Sequence, residues 1–166
     1  MDSHINAYKS SGAAGVNGAV LEDTIMRKGW PATAGSKILD AFVSPFDATV
    51  VTRLLDNGIG IAGRAGMNEF GLPQIVSREA GDICEAVDAV AAGAAPFALC
   101  NDIFGIYRRR AAEAGVCYLH PTYGTVSRYG LIPLACSMDQ IGIVCKHPAD
   151  GFNILSVIAG NDPKEY

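Results

Sequence analysis

Four sets of residues have types and spacings that could do chemistry. Gly58-Ile59-Gly60-Ile61-Ala62-Gly63 has the outline G-x-G-x-x-G. That outline holds a dinucleotide where a strand precedes the glycines and a helix follows, with the helix N-terminus facing the pyrophosphate. Here the glycines follow a helical pattern, sit inside a strand-like run and lead into Arg64-Ala65-Gly66, so the context is wrong. His4, His120 and His147 lie far apart, and His120 and His147 each precede a proline, which favours extended or turn backbone. A metal needs several converging ligands. The histidines therefore read as polar loop residues, with no metal and no cofactor expected. Cys84, Cys100, Cys117, Cys136 and Cys145 are odd in number and show no C-x-x-C spacing. They read as reduced thiols, mostly buried as small hydrophobes. Arg108-Arg109-Arg110 would suit a phosphate, but three consecutive helical residues cannot point one way, so a solvated helix surface is expected.

The elements that must position these residues follow from composition and periodicity. The chain has 166 residues, 49% hydrophobic and 18% charged, which suits one globular domain. Its net charge of −4 gives no reason for non-specific nucleic-acid binding. No apolar run approaches the ~20 residues needed to cross a bilayer. The polar start Met1-Asp2-Ser3-His4 lacks the layout of an export leader, so a cytoplasmic location is expected. Residues 1–17, rich in Gly, Ser and Ala, read as a flexible arm, and 18–166 as a single domain.

Gly18 to Leu21 reads as a short strand. Asp47 is the candidate N-cap of a helix whose apolar face is Val50, Val51, Leu54 and Leu55, and Asn57-Gly58 ends it. Ile59 to Ala62 reads as a buried strand. A second helix is expected over 82–92, with Asp82 and Glu85 as a capping pair and Ile83, Val87, Val90 and Ala91 on one face. Strands are expected over 97–100, 116–119 and 141–145, a short helix over 105–114, and a last helix over 149–159 with Gly160 past its end. Alternating strands and helices make this an α/β layered fold.

Two long stretches then carry a resemblance. Residues 22–70, EDTIMRKGWPATAGSKILDAFVSPFDATVVTRLLDNGIGIAGRAGMNEF, parallel a pattern of K-D, G-x-x-T-x-x-S-K-x-L, S-P-x-D-A-T-V and N-M-D-E-F. Residues 121–163 contain PTYGTVSRYGLIPLACSMDQIG and HPADGFNILSVIAGNDP, which parallel K-P-T-Y-G-x-V-S-R-x-G-L, S-x-D-Q-I-G and A-G-x-D-P. These motifs resemble the amidase signature family, and within it the A-subunit branch of the tRNA-dependent glutamyl/aspartyl amidotransferases. The resemblance implies a mixed β-sheet flanked by helices, here a truncated core that stops at Lys164-Glu165-Tyr166.

The family's chemistry is amide hydrolysis by a Ser–Ser–Lys arrangement. A nucleophilic Ser needs a base, here a Lys reached through a second Ser in a Gly/Ser-rich loop, and backbone N–H groups of a Gly-rich turn hold the oxyanion. The resemblance places the Lys at Glu22 and the relay Ser at Asp82, with Ile83, Cys84 and Glu85 after it. The nucleophile motif D-x-G-G-S-x-R falls on Asp102 to Arg108, so Ile106 stands at the nucleophile and Phe104 at a turn glycine. None of the three can do the family's job, and no catalytic residue is expected. Phe104 also cannot take positive φ cheaply. Residues left over in the former pocket are Glu22, Asp82, Asp102, Gly105 and Arg108.

Three functions compete. The first is an inactive amidase-fold protein acting as a binding or assembly module, partnered by a second copy in a homodimer or by a full-length amidase-family protein. The second is a new chemistry from a Glu22/Asp82 carboxylate pair, at positions that touch in the family, set against Asp82 as a plain helix cap and Glu22 as an exposed strand end. The third is residual amidase or amidotransferase activity.

Overall fold

The structure is a computed structural model that describes residues 18–73 and 81–165; the expected arm at 1–17 lies outside the described residues. Its elements are β1 (Gly18–Glu22), α1 (Thr49–Asp56), β2 (Gly60–Ala65), α2 (Glu85–Ala91), β3 (Phe97–Asn101), α3 (Ile106–Ala114), β4 (Cys117–Leu119), β5 (Ile141–Cys145) and α4 (Pro148–Ile158). The five strands form one mixed sheet in the order β2-β1-β3-β5-β4. β1 is parallel to β2 and β3, while β5 is antiparallel to β3 and β4.

β1, β3 and β5 are buried at every position because helices or loops cover both faces of the central sheet. Their residues alternate between two cores. Ala19, Leu21, Phe97, Leu99, Ile141 and Ile143 pack with Val50, Val51 and Leu54 of α1 and Ile158 of α4. Val20, Ala98, Cys100 and Val144 face the other way, onto Ala86, Val87 and Val90 of α2 and Ile106, Tyr107 and Ala111 of α3. Fully burying a side chain such as Leu21 or Leu99 stabilises the fold by ~1.5–3 kcal/mol.

Several local expectations change. Ile59–Ala62 does not make a buried strand: β2 is an edge strand, and Gly60 and Ala62 are exposed. Asp47 is not the cap of α1. Ala48 holds that position, and Asp47 Oδ1 accepts instead from Lys28 N at 2.8 Å. α2 starts at Glu85 rather than 82, with Cys84 as its N-cap and no side-chain capping bond. Ile83 therefore falls outside the helix and is 41% exposed. Glu85 accepts from Gly66 N at 2.6 Å, tying α2 to β2 instead of closing a capping pair. The G-x-G-x-x-G glycines lie as the context argument requires: Gly58 ends the α1 turn at φ 73°, and Gly60 and Gly63 sit in β2.

Cys84, Cys100 and Cys145 are buried free thiols, Cys117 is half-buried and Cys136 exposed. Burial foremost, with Asp82 and Asp88 adding to it, pushes the Cys84 thiol up to about 12, which makes it inert at neutral pH. No helix among the described residues is long and apolar enough to cross a membrane.

Candidate functional site

β1 and β3 run parallel as neighbours, so their C-terminal ends bring Glu22-Asp23 and Asn101-Asp102 to the same end of the sheet. Glu22 is not an exposed strand end. It is fully buried, and three donors converge on its carboxyl group. Tyr107 Oη donates to Oε1 at 2.8 Å, while Thr24 Oγ1 and Asn101 N donate to Oε2 at 2.8 and 2.7 Å. Burial raises its pKa from 4.5 to about 7; the three donors pull it down and nearby Asp102 adds to the rise.

Asp102, Gly105 and Arg108 organise the start of α3. Gly105 takes the left-handed conformation at φ 80° just before the helix. Phe104 stays out of that region and projects outward, 51% exposed. Asp102 Oδ1 accepts from Tyr107 N at 3.2 Å, and Oδ2 accepts from Arg108 N at 3.1 Å and Arg108 Nε at 2.9 Å. The carboxylate thus satisfies two free N–H groups of the first helical turn. Ile106 points into the second core, where it packs with Cys84, Val87 and Tyr107 among others.

Asp82 is held elsewhere. Asn68 Nδ2 donates to its Oδ1 at 2.8 Å and Arg109 Nη2 to its Oδ2 at 2.6 Å, while Asn68 Oδ1 accepts from Ile83 N. The groups that hold Asp82 are thus different from those that hold Glu22. The arginine run is the exposed helix surface expected, and within it Arg108, Arg109 and Arg110 pair with Asp102, Asp82 and Asp88, respectively. Two of these pairs strap α3 to α2 and the segment before it. Among the described residues no group of three or more His, Cys, Asp or Glu could hold a metal.

Sequence reasoning missed Thr24, Tyr107, Asn101 and Asn68. Thr24 and Tyr107 stand beside the residues singled out and were within reach. Asn101 adjoins Asp102 and Asn68 lies in the motif stretch at 66–70, but their bonds to Glu22 and Asp82 arise only through long-range packing.

A family model described as Amidase matches residues 2–77 and 87–166. This chain belongs to the amidase family. The unmatched stretch, 78–86, contains Asp82 and the residues leading into α2. The chain is 38% identical over 179 aligned positions to the glutamyl-tRNA(Gln) amidotransferase A chain of Nitratiruptor sp., covering 98% of this chain and 40% of that protein. The protein of the same name from Persephonella marina is 40% identical over 160, covering 87% of this chain and 33% of that protein. The chain thus spans about a third to two fifths of the length of these curated relatives. Among solved structures, the corresponding glutamyl-tRNA(Gln) amidotransferase component of Thermotoga maritima superposes with a TM-score of 0.78 at 34% identity, covering 89% of this chain and 36% of the other. Peptide amidase from Stenotrophomonas maltophilia superposes at 0.77 with 28% identity, covering 89% and 34%. The amidase family's mixed sheet with flanking helices is therefore the fold of this chain.

Proposed function

We propose that this chain is a non-catalytic member of the amidase family that serves as a binding or assembly module. The observation that carries the reading is the Ile106-Tyr107 pair. At the position that the motifs assign to the nucleophile, Ile106 is an apolar side chain packed in the core. Tyr107 next to it seals the Glu22 carboxyl group away from solvent. Hydroxyl-based acyl transfer without a hydroxyl or an accessible base loses its chemistry, not merely its rate.

The test is hydrolysis of glutamine, asparagine and an aryl amide by the purified chain. The expected result is no turnover above the buffer blank. Turnover that disappears in Tyr107→Phe or Asp82→Asn would overturn the reading.

One observation favours a second reading. A carboxyl group with a pKa near 7 matches what general acid–base catalysis asks for, and Glu22 has that value. That reading needs substrate to reach a fully buried group, so it predicts exchange of the Glu22 proton with ligand present. For assembly we propose a two-fold homodimer through a sheet edge, where β2 and β4 are the outermost strands. Sedimentation at micromolar concentration tests it. A folded monomer would move the assignment to a heteromeric partner such as a full-length amidase-family protein.

A further inference from the structure

Cys117 and Cys145 stand directly opposite each other in the antiparallel β4–β5 pair. Side chains so placed share one face of the sheet, and both pack into the core built with α1 and α4. Cys117 Sγ donates to the Lys146 carbonyl at 3.7 Å, and Cys145 Sγ to the next carbonyl, that of His147, at 3.2 Å. Both thiols thus meet the turn between β5 and α4. Opposed residues of an antiparallel pair have Cα atoms about 4.5–5.5 Å apart, within the roughly 4.4–6.8 Å that a disulfide spans. Their Cβ atoms lie about 4.5–5.5 Å apart against roughly 3.5–4.5 Å in the bridged form, so the strands must close by about 1 Å. Cys117 opens β4, an edge strand of three residues, which is the part of the sheet best able to give.

The two thiols differ in access. Cys117 is half-buried, whereas Cys145 is fully buried. α4 lies over Cys145, since a Cβ at Gly151 would sit 2.9 Å from its sulfur. Burial foremost, with Cys117 and Asp150 adding to it, pushes the Cys145 thiol up, and the Gly151 N–H pulls the other way. Cys145 is therefore a poor first nucleophile, and a bulky reagent reaches it only when carried by Cys117. Cys84 and Cys100 pack in the core on the opposite face of the sheet, and both are buried, so neither offers a way in.

We infer that Cys117 and Cys145 form a reversible disulfide site that exchanges with small disulfides such as oxidised glutathione. The Cys117 thiolate attacks one sulfur of oxidised glutathione. That S–S bond breaks, a bond from Cys117 to glutathione forms, and one glutathione thiolate leaves. Cys145 then gives up its proton and attacks Cys117 Sγ. The mixed disulfide breaks, the cross-strand bond forms, and the second glutathione thiolate leaves. Two protein thiols are oxidised and one oxidised glutathione is reduced to two thiols, which take up the two protons. The product ties β4 to β5 and closes the loop between them. Drawing the strands together loads the new bond, so excess reduced glutathione runs the exchange backward.

The experiment incubates the folded, reduced full chain overnight with millimolar oxidised glutathione. Remaining thiols are then blocked with a maleimide under denaturing conditions, and the mass of the intact chain is measured. Trypsin with cyanogen bromide cuts after Arg128, Met138 and Lys146, which puts Cys117, Cys136 and Cys145 on separate peptides. The expected result is a chain of single-chain mass in which Cys117 and Cys145 have both lost maleimide reactivity and their two peptides are linked. Excess reduced glutathione should return both thiols. In Cys145→Ser the exchange should stop halfway, with glutathione left on Cys117. Glutathione that stays on Cys117 of the parent chain, or a Cys117–Cys117 link between two copies, would overturn the pairing. A Cys117 that remains fully reactive toward maleimide would overturn the site. The parent chain alone decides the pairing, even where the variant fails to fold. No hydrolysis is read, so this inference and the non-catalytic reading stand or fall separately.

Discussion

Two regions of the molecule carry family-like motifs and have fared differently. The seam joining α1 to the end of α4 is one. There Thr49 Oγ1 and Ser127 Oγ both donate to Asp162 Oδ2, at 2.5 and 2.6 Å, and Lys164 N donates to Oδ1. Arg53 donates to the carbonyls of Ile158, Gly160 and Asn161. Gly130 presses so close that a Cβ would sit 2.4 Å from Ala48 Cα. Thr49 and Ala48, Ser127 and Gly130, and Asp162 with Gly160 and Asn161 lie in the S-P-F-D-A-T-V, T-V-S-R-Y-G-L and A-G-N-D-P stretches, respectively, and together they close the fold. The other region is the corner around Glu22, Asp82 and Ile106. There Asp102, Gly105 and Arg108 hold a helix start, while Ile106 is packed in the core and Glu22 and Asp82 are held by hydrogen bonds. The contrast sets residues that shape the scaffold apart from the corner on which the proposed function rests, and fold alone does not fix chemistry.

The sharpest way to break the comparison is in the seam. Gly130 combines φ 84° with that backbone contact. Gly130→Ala should therefore cost at least ~3 kcal/mol, because left-handed strain and overpacking add. Urea unfolding measures it, and a loss under ~1 kcal/mol would show that the seam is not what holds the fold.

The next effect lies in the corner and is a pH dependence. The folded pKa of Glu22 is about 7 against 4.5 when exposed, so the folded state holds the extra proton between those values. Stability is then full below pH 4.5, falls as pH rises toward 7 and levels off above it, by ~3 kcal/mol in all. Glu22→Gln mimics the protonated form: its carbonyl can accept from Thr24 and Asn101 and its amide can donate to Tyr107. The variant should lack that fall and be the more stable chain at pH 8. Comparing the two chains cancels other groups that titrate in this window, including His120, which burial shifts downward. Parallel pH–stability curves would contradict the assignment.

A smaller effect returns to the seam. Burial tends to raise the Asp162 carboxyl, but hydrogen bonds from Ser127, Thr49 and Lys164 prevail and hold it at about 2. Asp162→Ala should cost ~2 kcal/mol at neutral pH. The same contribution should fade in the parent chain only as pH falls below the ordinary carboxylate range. Equal stability of the two chains at pH 7 would remove Asp162 from the account. The smallest expected effect is on activity. Ile106→Ser puts a hydroxyl where the resemblance places the nucleophile, yet aryl-amide hydrolysis should stay at the blank, because Glu22 is fully buried and the Asp102 carboxylate is taken up by Tyr107 N and Arg108.

The legible part of the sequence was the periodic part. Buried strands such as Ile141–Cys145 and the α1 face of Val50, Val51 and Leu54 are visible because burial imposes a pattern of its own. Element starts were less legible. Asp47 and Asp82 have the type and spacing of caps, but each carboxylate was claimed by a distant donor, Lys28 N in one case and Asn68 with Arg109 in the other. The burial of Glu22 was hidden for the same reason. Thr24 is local, but Asn101 and Tyr107 come from 79 and 85 positions away.

The central claim is that the corner holds no activated nucleophile. Incubation with a serine-directed fluorophosphonate, followed by intact-mass measurement, tests it most directly. The account predicts an unchanged mass for the purified chain. A single stoichiometric adduct on a serine, lost when the chain is unfolded before labelling, would contradict it.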